Sequence, residues 1–321
     1  MKPLVIIASN SFGQLSNRGI NLLSEVADCK RIDPNKIEES EFRELIAKAQ
    51  IIIGVPKKYS KIVTGTKTLK MIAIRAAGSD TVDIDEAKRN GIIVTYAPAA
   101  NATSVAEMAV GLLLSLSRNI VFASNSVKAR KWERIECVGT EINGKTVGII
   151  GLGEIGRKVG VILKAFNTKL LGYDPYIRKK NLKDIEIDIV DLKTLISSSD
   201  IVTLHCPLTT NTRKMLNADV LNHVKRGMYI VNTSRGEVVD QQAIICAIED
   251  GRISGYATDV LEVEPIEAGN ILPDTKRVIC TPHIGGYTYE AAERIDMLVA
   301  NDIVEVINGG LPHPDHLLSG N

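Results

Sequence analysis

Ten short runs of aliphatic and β-branched residues punctuate the chain, at 4–7, 51–53, 71–74, 92–94, 147–150, 170–173, 201–204, 228–231, 255–258 and 278–280. Each is rich in apolar and β-branched residues with no polar–apolar alternation, the pattern of a strand covered on both faces. Stretches with helical periodicity lie between them, as at 103–118, 157–166 and 288–308. Together they predict an α/β chain whose parallel sheets are built from βαβ units. The runs fall into two series. The first ends near Ala97-Pro98-Ala99-Ala100, where a proline among small residues interrupts the pattern, and the second opens at Asn143-Gly144-Lys145, a turn feeding a strand. A length of 321 residues suits two domains of roughly 100–200 residues each.

Composition narrows the function classes. Hydrophobic residues at 45% and charged residues at 24% match globular proteins and set aside disorder and fibrous folds. Lys and Arg number 39 against 38 Asp and Glu, and no block of like charge exceeds Arg178-Lys179-Lys180, so no nucleic-acid footprint is expected. Five cysteines without a C-x-x-C pair argue against a disulfide framework or a zinc site and for a reducing compartment. The N-terminal apolar run is too short for a signal peptide, and the longest apolar stretch, 108–116, falls well short of a ~20-residue span. We expect a cytoplasmic protein with no membrane partner and no metal.

The run at 147–150 leads straight into Gly151-Leu152-Gly153-Glu154-Ile155-Gly156 and then a helical stretch. In that context the glycines have separate roles. Gly151 permits the turn, Gly153 leaves room for a pyrophosphate, and Gly156 lets the helix pack on the strand, with the helix N-terminus facing the anion. The next run ends at Asp174, 18 residues after Gly156, where an acid bonding the adenosine ribose is expected. A carboxylate there favours NAD over NADP.

Three later runs end in residues suited to acid, base or carboxylate chemistry. After 228–231 comes Asn232-Thr233-Ser234-Arg235-Gly236. After 255–258 comes Asp259, with Glu264-Pro265 beyond, and after 278–280 comes Thr281-Pro282-His283. Ligands of open α/β sheets bind outside the carboxyl ends of the strands. Arginine offers a planar fork to a carboxylate, and histidine exchanges protons near neutral pH; a buried glutamate beside it would fix its orientation. Each has a plainer reading: a surface ion pair, a loop acid and a capped core imidazole. Their joint placement beside a nucleotide loop favours the catalytic one. His205 and Cys206 read as part of the nucleotide-site wall, and His223, His313 and His316 as solvated.

These residues resemble the D-2-hydroxyacid dehydrogenase family over nearly the whole chain. The similarity rests on Gly78-Ser79-Asp80-Thr81-Val82-Asp83, Ser104-Val105-Ala106-Glu107, the glycine motif, His205-Cys206-Pro207-Leu208-Thr209, Val231 to Gly236, Asp259 to Pro265 and Pro282 to Gly286. Within the family, Gly172-Tyr173-Asp174-Pro175 and His283 to Thr288 are most similar to the branch acting on 3-phosphoglycerate.

The resemblance implies a Rossmann NAD-binding domain, 101–286, inserted in a flavodoxin-like catalytic domain of 1–100 and 287–321. It implies that Arg235 binds the substrate carboxylate, that His283 is the general acid/base, that Glu264 pairs with it, and that Asp259 holds the nicotinamide carboxamide. Glu154, Ile155, Pro207 and Thr233 join the glycines and Asp174 in the implied cofactor site. Ala77, Gly78 and Ser79 would cradle the substrate carboxylate, and Arg75 or Lys57 a substrate phosphate. The implied partner is a small 2-hydroxy or 2-keto acid, in a homodimer. Glyoxylate or hydroxypyruvate reduction is the alternative activity, and an NAD-binding corepressor the alternative of another class. The chain stops at Asn321, before the regulatory extension that some members carry.

Overall fold

The computed structural model describes residues 2–78, 82–177, 182 and 184–319. The chain divides into two compact units, Met1–Asn101 with Tyr287–Asn321, and Ala102–Gly286. We call them the terminal and the inserted unit.

The terminal unit carries strands β1 (Leu4–Ile7), β2 (Asp28–Arg31), β3 (Ile51–Ile53), β4 (Met71–Ala73), β5 (Ile93–Thr95) and β13 (Leu317–Ser319). Its helices are α1 (Arg18–Val26), α2 (Glu39–Ile46), α3 (Ser60–Thr64), α4 (Ile84–Arg89) and α11 (Tyr289–Ile307). The sheet order is β13-β5-β4-β3-β1-β2, with β1 to β5 parallel and β13 antiparallel to β5. Strand side chains alternate between faces, and here both faces are apolar. Ile6, Ile52, Ile72 and Val94 join one cluster, while Val5, Ile7, Ile51, Ile53 and Met71 join the other with Ile295, Val299 and Ile303 of α11. Each such side chain removed from water contributes about 1.5–3 kcal/mol. Helix α11 lies close against α1, where a Cβ on Gly19 would stand 2.7 Å from the Asp296 carbonyl oxygen.

Strands β2, β8 and β13 lie outside the ten apolar runs. His316 was expected to be solvated. That imidazole is instead mostly buried, with Nδ1 2.9 Å from Asp302 Oδ2, and it leads into β13 on the edge of the sheet.

The inserted unit carries β6 (Thr146–Ile150), β7 (Lys169–Tyr173), β8 (Asp188–Ile189), β9 (Ile201–Leu204), β10 (Met228–Asn232), β11 (Ile253–Thr258) and β12 (Val278–Cys280). Its helices are α5 (Ala102–Ser117), α6 (Ile120–Lys128), α7 (Glu154–Lys164), α8 (Leu192–Ser198), α9 (Ala218–Leu221) and α10 (Gln241–Glu249). All seven strands are parallel, in the order β12-β11-β10-β9-β6-β7-β8. Two clusters again cover the two faces, one with Ile150, Val202 and Ile230, the other with Val147, Ile149, Val231 and Ala257. The strand order reverses between β6 and β9, so a crevice opens at their carboxyl ends. The terminal sheet, read β2-β1-β3-β4-β5, reverses between β1 and β3 in the same way. Both units are doubly wound α/β folds, one Rossmann-like and one flavodoxin-like.

Candidate active site

The glycine motif fills the turn from β6 into α7. Gly151 has φ of +90°, in the left-handed region, and a Cβ there would come within 2.6 Å of the Cys206 amide nitrogen at the exit of β9. A Cβ on Gly156 would overlap the Gly151 carbonyl oxygen, so the first turn of α7 can sit against the loop only without a side chain. Gly153 faces open space, and as N-cap of α7 it offers no capping side chain. The N–H groups that open α7 and the positive helix end suit an anion, so these residues fit the pyrophosphate of a dinucleotide. Helix α7 starts at Glu154, three residues earlier than the sequence reading placed it, and Glu154 is ion-paired with Arg157 on the next turn.

Asp174 follows β7. Its Oδ2 accepts a hydrogen bond from Leu152 N at 2.9 Å and its Oδ1 one from Tyr176 N at 2.9 Å. The carboxylate thus clamps the glycine loop and retains lone pairs for ribose hydroxyls.

After β9, His205 bridges two hydroxyls. Its Nε2 lies 2.9 Å from Thr203 Oγ1 and its Nδ1 3.3 Å from Thr233 Oγ1. Burial pushes its pKa down to about 3, so the ring is neutral and one nitrogen must accept. The bridge ties the wall of the crevice to Thr233, while Pro207 lies exposed beyond it.

Arg235 is presented by a turn that Asn232 builds. The fully buried Asn232 accepts from Ser234 N and Oγ through Oδ1, and donates through Nδ2 to the Arg235 carbonyl at 3.0 Å and to Tyr256 Oη at 3.3 Å. All of its amide capacity is used. Sequence reasoning quoted Asn232 only as part of a motif; its signal was a polar side chain closing a wholly apolar strand.

Asp259, after β11, is 2% exposed and accepts three hydrogen bonds from the loop carrying His283: from Thr281 Oγ1 at 2.6 Å, Ile284 N at 2.9 Å and Gly285 N at 2.6 Å. Asp259 thus braces the loop that carries His283. His283 itself has φ of +56°, a conformation costing a residue with a Cβ about 1–2 kcal/mol. The brace offsets that cost. His283 Nδ1 lies 2.7 Å from Glu264 Oε2, and Glu264 Oε1 accepts from Leu261 N at 2.9 Å. The pair is not buried as expected: the His283 and Glu264 side chains are 49% and 37% exposed. Burial pushes the neighbouring Cys280 thiol up to about 11, which leaves it protonated and a poor nucleophile at neutral pH.

All of these groups stand at the carboxyl ends of the strands of one sheet, in the inserted unit. In the terminal unit, Ala77 and Gly78 follow β4 in a bend tied down by Ala97 N to the Ala76 carbonyl at 3.0 Å. Ser79 lies outside the described residues. Lys57 is exposed just beyond β3. Arg75 is not the free cation that a phosphate would need: its Nε donates to Asp296 Oδ1 at 2.6 Å.

A family model described as D-isomer specific 2-hydroxyacid dehydrogenase, NAD binding domain, matches residues 110–285. The chain is 36% identical over 307 residues to a D-3-phosphoglycerate dehydrogenase of Synechocystis sp., a match covering 95% of this chain and 54% of that protein. It is 38% identical over 271 residues to a hydroxypyruvate reductase of Thermotoga maritima, covering 83% and 88%. Among solved structures, the D-lactate dehydrogenase of Aquifex aeolicus complexed with NAD and lactic acid aligns over 99% of both chains with a TM-score of 0.86 at 29% identity. The chain spans about half the length of the D-3-phosphoglycerate dehydrogenases it matches.

Proposed function

Because the chain belongs to the D-isomer specific 2-hydroxyacid dehydrogenase family, we propose that it is an NAD-dependent oxidoreductase interconverting a D-2-hydroxy acid and the corresponding 2-keto acid. One observation carries the reading: His283, braced by Asp259 and held through Nδ1 by Glu264, ends one strand of the sheet whose glycine loop fits a pyrophosphate.

When bound, NADH would supply the hydride that the keto carbon accepts. The chain's own residues do the rest. Arg235 engages the substrate carboxylate with its fork and stabilises the charge that develops on the carbonyl oxygen. Glu264 Oε2 accepts a hydrogen bond from Nδ1–H, so the Nε2 side of His283 is the one that exchanges a proton with the substrate. In reduction it donates to the forming alkoxide, and in oxidation it accepts the hydroxyl proton. Asp174 supports NAD over NADP, because a second carboxylate-facing anion on the ribose would be repelled.

His283→Ala should lower kcat by about 10²–10⁴-fold with NADH affinity nearly intact. Turnover of a panel of 2-keto acids, followed by NADH absorbance, checks it. No turnover of any member by the wild type would favour a partner-binding role for the NAD site instead.

The substrate reading of 3-phosphoglycerate has support from the names of several relatives, while hydroxypyruvate reductase and glyoxylate reductase are the names of others. A homodimer is supported by an apolar surface on and after α6, where Phe122, Trp132, Ile135 and Val138 are exposed. A cytoplasmic setting is supported by five free thiols.

A further inference from the structure

Strand β11 pairs with β10 in a register that sets Tyr256 beside Ile230, two residues before the pair of Asn232 and Thr258 that ends both strands. Tyr256 is buried in the same hydrophobic cluster as Ile230, Val238 and Ile244. A phenylalanine would fill that space, and a buried hydroxyl is costly without a partner. The partner here is Asn232, whose Nδ2 donates to Tyr256 Oη at 3.3 Å. Burial pushes the phenol pKa up to about 12, so Oη stays protonated and neutral at working pH.

The turn after β10 depends on that amide. Asn232 Oδ1 takes the Ser234 N–H and hydroxyl, while one Nδ2 hydrogen goes to the Arg235 carbonyl and the other to Tyr256. The Arg235 guanidinium is tied to the same turn, with Nη1 donating to the Ser234 carbonyl at 2.8 Å. A Cβ on Gly236 would overlap the Leu261 backbone, so packing closes the far side of the turn and Asn232 closes the near side. We propose that Tyr256 is a positioning residue for Arg235: its hydroxyl holds the Asn232 amide in the rotation that fixes the turn, and so aims the guanidinium at the substrate carboxylate. Without that acceptor a buried N–H is left unpaired, and Asn232 relieves it by rotating at the expense of its bond to the Arg235 carbonyl. The glycine loop follows β6 and His283 follows β12, so NADH affinity and the proton donor are spared.

The inference rests on the dehydrogenase reading, and the test separates the two. Tyr256→Phe keeps the ring and removes the acceptor. With NADH present, KM for a 2-keto acid and the Kd of oxamate, which carries a carboxylate beside a carbonyl, should both rise roughly three- to tenfold. The Kd of NADH and the pH profile of kcat should not move, whereas a merely structural role would lower the active fraction and leave oxamate affinity alone. In an Asn232→Ala background Tyr256→Phe should add less than about twofold, since the acceptor then has no donor to hold. Unchanged KM and oxamate affinity in Tyr256→Phe overturn the proposal, and so do effects of the two substitutions that add in full. If Asn232→Ala does not fold, the single variant decides by the same criterion. If the wild type neither reduces a 2-keto acid nor binds oxamate, the dehydrogenase reading falls, and hydrogen exchange still tests the link. Amides of residues 234–238 should then exchange about threefold or more faster in Tyr256→Phe with those of β10 unaltered, and equal rates overturn the proposal.

Discussion

Burial pushes the His205 pKa down to about 3, against 6.5 for a free imidazole, so the folded protein keeps the ring neutral over a range where the unfolded chain protonates it. The unfolded state then binds the extra proton, and stability falls with pH from roughly 6.5 towards 3, by at most about 1.4 kcal/mol per unit. Above that window His205 titrates in neither state and contributes no slope. Urea unfolding at a series of acidic pH values should show a shallower decline for His205→Gln than for the wild type. A second residue tests the brace beneath His283. A Cβ on Gly285 would lie 2.9 Å from Asp259 Oδ2, too close for the present loop, so Gly285→Ala should displace His283. Steady-state assays should find kcat lowered on the order of ten- to a hundredfold, with NADH binding largely kept.

Strand β13 hangs on a polar pair. His316 meets Asp302, whose side chain is 5% exposed, and His313 N also donates to that carboxylate at 3.3 Å. His316→Ala leaves a buried acid short of a partner and should cost about 1–3 kcal/mol in urea unfolding at neutral pH. This strand also marks where sequence reading stops. The ten apolar runs all became strands because burial on both faces demands apolar residues. Strand β2, Asp28-Cys29-Lys30-Arg31, is an edge strand with mostly exposed side chains and has no such pattern. Strand β8 has two residues, and β13 pairs late in the chain with β5. In the inserted unit, Arg235, Asp259 and His283 were legible because each directly follows a run of strand residues. Asp296 was not, since its partner Arg75 lies 221 residues away. Its one local sign is an acid beside Ile295 and near Val299 and Ile303 on the apolar face of α11.

At the scale of the molecule, each unit has its own two hydrophobic clusters among the described residues. Under the proposed function NADH is bound by the inserted unit, so at a hundred times its Kd it should add about 2.7 kcal/mol to the stability of residues 102–286. Scanning calorimetry should find that gain in one part of the unfolding profile, and a uniform shift of the whole profile would contradict it. The split of the terminal unit has a consequence in time. Helix α11 contributes Ile295, Val299, Ala300 and Ile303 to the cluster that covers one face of the first sheet. A ribosome making this chain lays down five strands of that sheet first, then the whole inserted unit, and only then the helix that closes the core. The inserted unit can fold while the earlier residues wait with one apolar face uncovered. That face, present in every nascent chain and in no finished molecule, is where a chaperone has something to hold.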